Sequence, residues 1–321
     1  MRKLVFVLLL ASSYSALGQG APKAAQPSQP PKPFMAQLKE TVVVIKLECQ
    51  AGGKAFHASG TGFFVLVPDG RMGPEKGAGF SYLVTNRHVA ECWDHLQRPM
   101  EVKSVSIRFN LLDGSSSTGP LSERGNVPWV LPSSESVDLA VLPLGLKKDK
   151  VDWLPISTES FGTDDMFSSG RIHEGQSIIF TGFFPKIEGV KRAQPIVREG
   201  IISSLADEPL IELKGVPAKY YLGDVHVLAG NSGSPVMVNL AGVQGSSFFA
   251  GEDYRLIGVV SGYLTEDEDM SLKLEATVEA TGAANSGITT IVPVGELKKL
   301  LDDDRLRAQR DAAAAKINAT K

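Results

Sequence analysis

Between residues 40 and 86 the chain reads ETVVVIKLE (40–48), TGFFVLV (61–67) and FSYLVTN (80–86). Each run is short and dense in Val, Ile and Phe, and each is bounded by Gly, Pro, Ser, Asp or Asn, the punctuation of turns. β-branched and aromatic side chains suit a pleated surface packed on a core, so these runs predict strands. The pattern continues through VKSVSIRF (102–109) and DLAVLPL (138–144). After a polar stretch around 157–173 a second set follows: QSIIFTGF (176–183), GIISSL (200–205), SPVMV (234–238), LIGVVSGY (256–263) and GITTIVP (287–293). Two groups of about six strands predict two all-β units of similar size with a cleft between them. The period then changes: Val294, Leu297, Leu300 and Leu301 in VGELKKLL fall at helical spacing, which predicts an amphipathic C-terminal α-helix.

Outside these units the composition shifts. Arg2 and Lys3, the apolar run Leu4 to Ala11 and the small-residue exit Ala16-Leu17-Gly18 read as an export signal over 1–18, too short to span a bilayer. Residues 19–34 are rich in Pro, Ala and Gln and read as an extended spacer. The first β unit is then expected over 35–155, the second with its helix over 156–301, and a charged, Ala-rich tail or frayed helix over 302–321. With 43% hydrophobic and 21% charged residues the chain has an ordinary globular composition. Its net charge of -3 provides no broad positive field for nucleic acid or anionic lipid. The expected location is secreted or periplasmic, with no membrane association after signal cleavage. In that compartment Cys49 and Cys92, the two cysteines of the chain, are candidates for one bridge; two free buried thiols are the alternative.

The residues that carry chemistry begin with GNSGSP at 230–235. Gly230 and Gly233 allow a turn tight enough to expose Ser232 and to aim the amides of Gly230 and Ser232 at one point. A serine hydroxyl becomes a useful nucleophile only when a base takes its proton and donors stabilise the resulting oxyanion. Of the five histidines, His88 lies where the run YLVT ends in Asn-Arg-His and passes into a helical turn. Asp138 opens the apolar run DLAVLPL, at the edge of a core where an unpaired charge is costly, which favours a built-in partner. The order is His, Asp, Ser, at separations of 50 and 94 residues. One convergent form of the Ser-His-Asp triad has this order with roughly 45 and 93 between its members; the other forms run in different orders.

Taken together, SGTGFFV, TNRHVA, DLAVL and GNSGSPV resemble the trypsin-like serine peptidases, over roughly residues 40–300. The similarity is greatest to the bacterial branches that include HtrA-type and glutamyl-endopeptidase-like enzymes. The resemblance implies a chymotrypsin-like fold of two six-stranded antiparallel β-barrels, a protein or peptide substrate and no cofactor or metal. It implies His88 as general base, Asp138 as its orienting carboxylate, Ser232 as nucleophile and the Gly230 and Ser232 amides as oxyanion hole. Ser261, Gly262 and Tyr263 would pair with the substrate backbone, Ser261 within reach of Asp138, and His226 would lie near the base of the first specificity pocket. The chain departs from the digestive enzymes at Asn231, since an amide cannot form the ion pair by which they are activated. About 20 residues beyond the predicted helix leave no room for the PDZ domain of HtrA-type enzymes.

Two other functions remain open on sequence: a binding or scaffold protein that keeps the fold without the reaction, and a different acyl hydrolase such as an esterase. The acidic run Glu266 to Asp269 lacks the spacing of a calcium loop and is read as a solvated hairpin tip. His57, His95 and His173 show no metal-ligand spacing, and Lys147, Lys148 and Lys150 read as a solvated turn. Asn318-Ala319-Thr320 fits a glycosylation acceptor in the tail.

Overall fold

The computed structural model describes residues 32–73, 77–94, 98–122, 125–213, 215–244, 247–249, 253–273 and 277–319. The export signal at 1–18 and nearly all of the spacer therefore lie outside the described residues, as do His95 and Thr320. The described chain opens with a short helix, α1 (Phe34–Glu40), whose Phe34 ring stacks on Tyr254 with centroids 3.5 Å apart.

The first sheet contains β1 (Val42–Ala51), β2 (Lys54–Pro68), β3 (Gly79–Thr85), β4 (Glu101–Asn110), β5 (Ser116–Ser122) and β6 (Ala140–Pro143). They are joined in the order β5-β4-β1-β2-β3-β6, all antiparallel, and β7 (Ile156–Ser157) pairs in parallel with β2. Alternation puts Ile45, Leu47, Val105 and Ile107 on one face, where they pack with Phe64, Leu83 and Val151. Among the described residues no ladder joins β5 to β6. The reason lies before β6. Residues 125–139 hold Pro128 and Pro132, which cannot donate to a ladder, and touch β6 through the single bridge between Val130 and Val141.

The second half closes fully. β8 (Ser177–Gly182), β9 (Ile196–Ser204), β12 (Tyr221–Asp224), β13 (Pro235–Asn239), β16 (Tyr254–Lys273) and β17 (Thr277–Pro293) form a six-stranded barrel in the order β12-β17-β16-β13-β8-β9. Its interior holds Ile178, Phe180, Val236, Val238, Ile257, Val260 and Ile291. Two small hairpins, β10 (Ile211–Leu213) with β11 (Val216–Ala218) and β14 (Gly242–Gln244) with β15 (Ser247–Phe249), stand apart from it. β16 and β17 run on together past the barrel, paired from Thr265–Asn285 to Lys273–Thr277. The run Glu266 to Asp269 lies along β16 in this ribbon, and not at a hairpin tip.

Cys49 on β1 and Cys92 are joined in a disulfide, closing a separation of 43 residues and tying the strand to the segment after His88. Two short helices lie between strands, α2 (Arg87–Ala90) and α3 (Asp164–Ser168). The predicted amphipathic helix is α4 (Val294–Leu301), with Val294, Leu297, Leu300 and Leu301 all buried. Over the expected tail, α5 (Asp304–Ala319) is a helix tied to the first sheet through Arg310 and Tyr82. Leu306, Arg310 and Ala314 repeat every four residues and are buried, a stripe too thin and too interrupted by charge to stand out as amphipathic. The Arg310 guanidinium, in a residue 7% exposed, donates to the Tyr82 hydroxyl (3.0 Å) on β3 and to the Leu301 carbonyl (2.8 Å). Arg310→Ala would leave both acceptors without their donor and remove the packed side-chain stem. A loss of about 2–4 kcal/mol in urea unfolding is expected; a change below 0.5 kcal/mol would show that α5 does not clamp the sheet.

Candidate active site

β3 delivers the chain into α2, and its last residues position His88. Asn86, fully buried at the helix start, donates from Nδ2 to the Asp138 carbonyl (2.9 Å), which fixes the two segments side by side. Asp138 lies two residues before β6 and is 1% exposed. Its carboxylate accepts from the His88 backbone N–H (2.9 Å) and pairs with His88 Nδ1 (2.8 Å) and with Ser261 Oγ (2.5 Å). A carboxylate so placed selects the tautomer that carries hydrogen on Nδ1 and leaves Nε2 as an acceptor. Burial works to lower the His88 pKa, but the charge and hydrogen bond of Asp138 together outweigh it and hold it above the ordinary 6.5. Burial likewise opposes ionisation of Asp138, and His88 with the Ser261 hydroxyl overcomes it, keeping the carboxyl below its usual 3.8. Burial also pushes the neighbouring Tyr220 hydroxyl well up, so it stays neutral.

Ser232 sits in the turn that leads into β13. Gly230 and Gly233 have φ of 94° and 88°, and neither could carry a side chain: a Cβ on Gly233 would lie 2.0 Å from the Thr61 carbonyl oxygen. The turn is pinned from several directions. Thr61 N–H donates to the Ser232 carbonyl (2.8 Å), Gly233 N–H to Val260 (2.8 Å), and Thr61 Oγ1 to the Gly230 carbonyl (2.7 Å). Asn231, fully buried, donates from Nδ2 to the Phe183 carbonyl (2.9 Å) and accepts the Leu228 N–H (2.9 Å). The amides of Gly230 and Ser232 donate to no protein group among the described residues. Ser232 Oγ donates to the Ser261 carbonyl (2.9 Å) rather than to His88.

Ser261 therefore joins both parts, through its hydroxyl to Asp138 and through its carbonyl to Ser232. It is the extra residue of a bulge in β16, between the pairs Val260–Ile291 and Gly262–Thr290, and such a bulge re-aims side chain and carbonyl together. Gly262 and Tyr263 follow along the rim, Tyr263 41% exposed. His226 is exposed between the buried Val225 and Val227, pointing away from the barrel interior. Asn285, not singled out in the sequence, donates to the Val227 carbonyl (2.8 Å) and so ties β17 to this segment. The bond of Thr61 to Gly230 and that of Asn231 to Phe183 also escape sequence reasoning, because the partners lie 169 and 48 residues away.

A family model for the trypsin-like peptidase domain matches residues 60–243, more than half of the chain. The chain belongs to this family. The match of this trypsin-like peptidase domain takes in the segments around His88, Asp138 and Ser232 and stops before Ser261. No curated protein sequence matches the trypsin-like chain. Among solved structures it is similar to Deg5, at 16% identity and a TM-score of 0.44 over 83% of this chain and 88% of that one. It is also similar to the HtrA-type protease AlgW with a decapeptide, at 16% identity and a TM-score of 0.43, over 84% of this chain and 66% of that one.

Proposed function

We propose that this chain is a serine endopeptidase exported from the cytoplasm, with Ser232 as nucleophile, His88 as general base and Asp138 as its orienting carboxylate. The observation that carries the reading is the buried Asp138 carboxylate holding His88 by two hydrogen bonds while sharing Ser261 with the Ser232 turn. For reaction, the Ser232 hydroxyl rotates from the Ser261 carbonyl toward His88 Nε2, which takes its proton as Oγ bonds to the peptide carbon. The developing oxyanion accepts from the unengaged amides of Gly230 and Ser232. The tetrahedral adduct collapses as His88 returns the proton to the departing amine, leaving an acyl group on Ser232. Water, activated by the same imidazole, releases it. Gly262 and Tyr263 would hold the substrate backbone as an added strand. The sequence of residues 1–18 and the disulfide support a secreted or periplasmic location.

A second reading, a binding or scaffold protein without turnover, is favoured by one observation: Ser232 Oγ is engaged with Ser261 and not with His88. Labelling by a fluorophosphonate separates the two. The full protein is expected to label on Ser232 and to cleave an unstructured protein substrate, and Ser232→Ala to do neither. A folded, unlabelled wild type would establish the scaffold reading. Labelling with turnover of esters alone would mark a different acyl hydrolase.

A further inference from the structure

The outer face of the first sheet carries a groove of about 450 Å³ lined by Lys46, Glu48, His57, Ser59, Ser104 and Glu188. Strand register sets His57, Glu48 and Ser104 abreast across β2, β1 and β4, with Ser59, Lys46 and Ser106 in the next row. Alternation puts both rows opposite the buried Ile45, Leu47, Val105 and Ile107. One step further along β2 on the same face stands Thr61, which holds the Ser232 and Gly230 carbonyls. The facing wall is Pro185 and Glu188, and a Cβ on Gly230 would lie 2.6 Å from Pro185 Cδ. The groove thus lies along β2 beside Thr61, and its Pro185 wall stands against Gly230.

Its charges are unequally satisfied. Lys46 is taken by Glu188 (2.8 Å), which also faces Arg108 (3.6 Å). The Glu48 carboxylate accepts only from the Ser104 hydroxyl (2.9 Å) and faces no cation among the described residues, the neighbouring His57 being aligned with it across the ladder. Ser232 touches β16 through its hydroxyl and β2 through its carbonyl. With the acyl half of a peptide along Ser261 to Tyr263, β2 is the strand on the other side of Ser232, where a leaving half would lie. From Thr61 to His57 the strand covers about 13 Å, the span of roughly four extended residues.

The geometry points to a subsite for the leaving half of a peptide substrate, in which Glu48 selects a lysine or arginine side chain two to four residues beyond the scissile bond. The inference rests on the endopeptidase reading above and adds its substrate preference. The test uses the full protein and pairs of fluorogenic peptides, each pair differing only by Lys or Gln at the second, third or fourth position after the cleaved bond. Wild type is expected to cleave the Lys member about three- to tenfold faster in kcat/KM at one of these positions, as a partly screened ion pair allows. The ratio should shrink as salt rises, fall to about one in Glu48→Gln, and drop below one in Glu48→Lys. Labelled wild type with a ratio of one at all three positions, or Glu48→Gln keeping the wild-type ratio, overturns the inference alone. Absence of both labelling and cleavage removes the peptidase reading and this inference with it.

Discussion

Asp138→Asn is expected to lower kcat/KM on a peptide substrate by a factor on the order of 10⁴, with the protein still folded. An asparagine can meet His88 Nδ1 with its NH₂ group, which turns the imidazole to the tautomer carrying hydrogen on Nε2. That nitrogen then cannot accept the Ser232 proton. The pH profile gives the same substitution a second, independent reading. His88 must be neutral to act as base, so wild-type kcat/KM should fall on acidification through a pKa above 6.5, where Asp138 holds it. In Asp138→Asn the charge that raises this pKa is gone while burial, which lowers it, remains. The residual activity should therefore show its acid limb at lower pH than wild type. A limb that stays in place, or a loss of less than tenfold, would contradict the assignment of Asp138.

Gly233→Ala is expected to cost about 3–5 kcal/mol and to abolish fluorophosphonate labelling. The residue sits at φ 88°, which an L side chain resists by about 1–2 kcal/mol. Its Cβ would also fall 2.0 Å from the Thr61 carbonyl oxygen and 2.6 Å from Thr85 Oγ1, both on the first sheet. Relief requires the turn to move, which breaks the bonds from Thr61 to Ser232 and from Gly233 to Val260. Gly287→Ala is the control: φ is 84° there, but nothing lies within 4 Å of the added carbon, so only the backbone cost of about 1–2 kcal/mol should appear. Equal losses for the two variants in urea unfolding would show that conformation alone, and not the approach of the two sheets, makes Gly233 necessary.

Local patterns in the chain were enough to place most strands and the helix at 294–301. The burial of Val294, Leu297, Leu300 and Leu301 follows directly from their spacing, since period and face are properties of neighbouring residues. The pairing of Cys49 with Cys92 was one of two open readings, and the fold selected it. The missing ladder between β5 and β6 was not legible, because a ladder depends on which distant edges meet. Nor was the docking of α5, where one buried arginine reaching Tyr82 across 228 positions matters more than any periodic face.

By itself, then, the chemistry of the side chains along the chain determined an all-β protein with a short terminal helix, and singled out a histidine, an aspartate and a glycine-flanked serine worth placing together. Only the tertiary structure decided that Asp138 grips His88 twice, that a bulge makes Ser261 the link to Ser232, and that Asn231 and Thr61 brace the turn. Hydrogen bonds act over about 3 Å, and whether residues far apart in the chain come that close is set by the packing of the sheets rather than by any local run of amino acids.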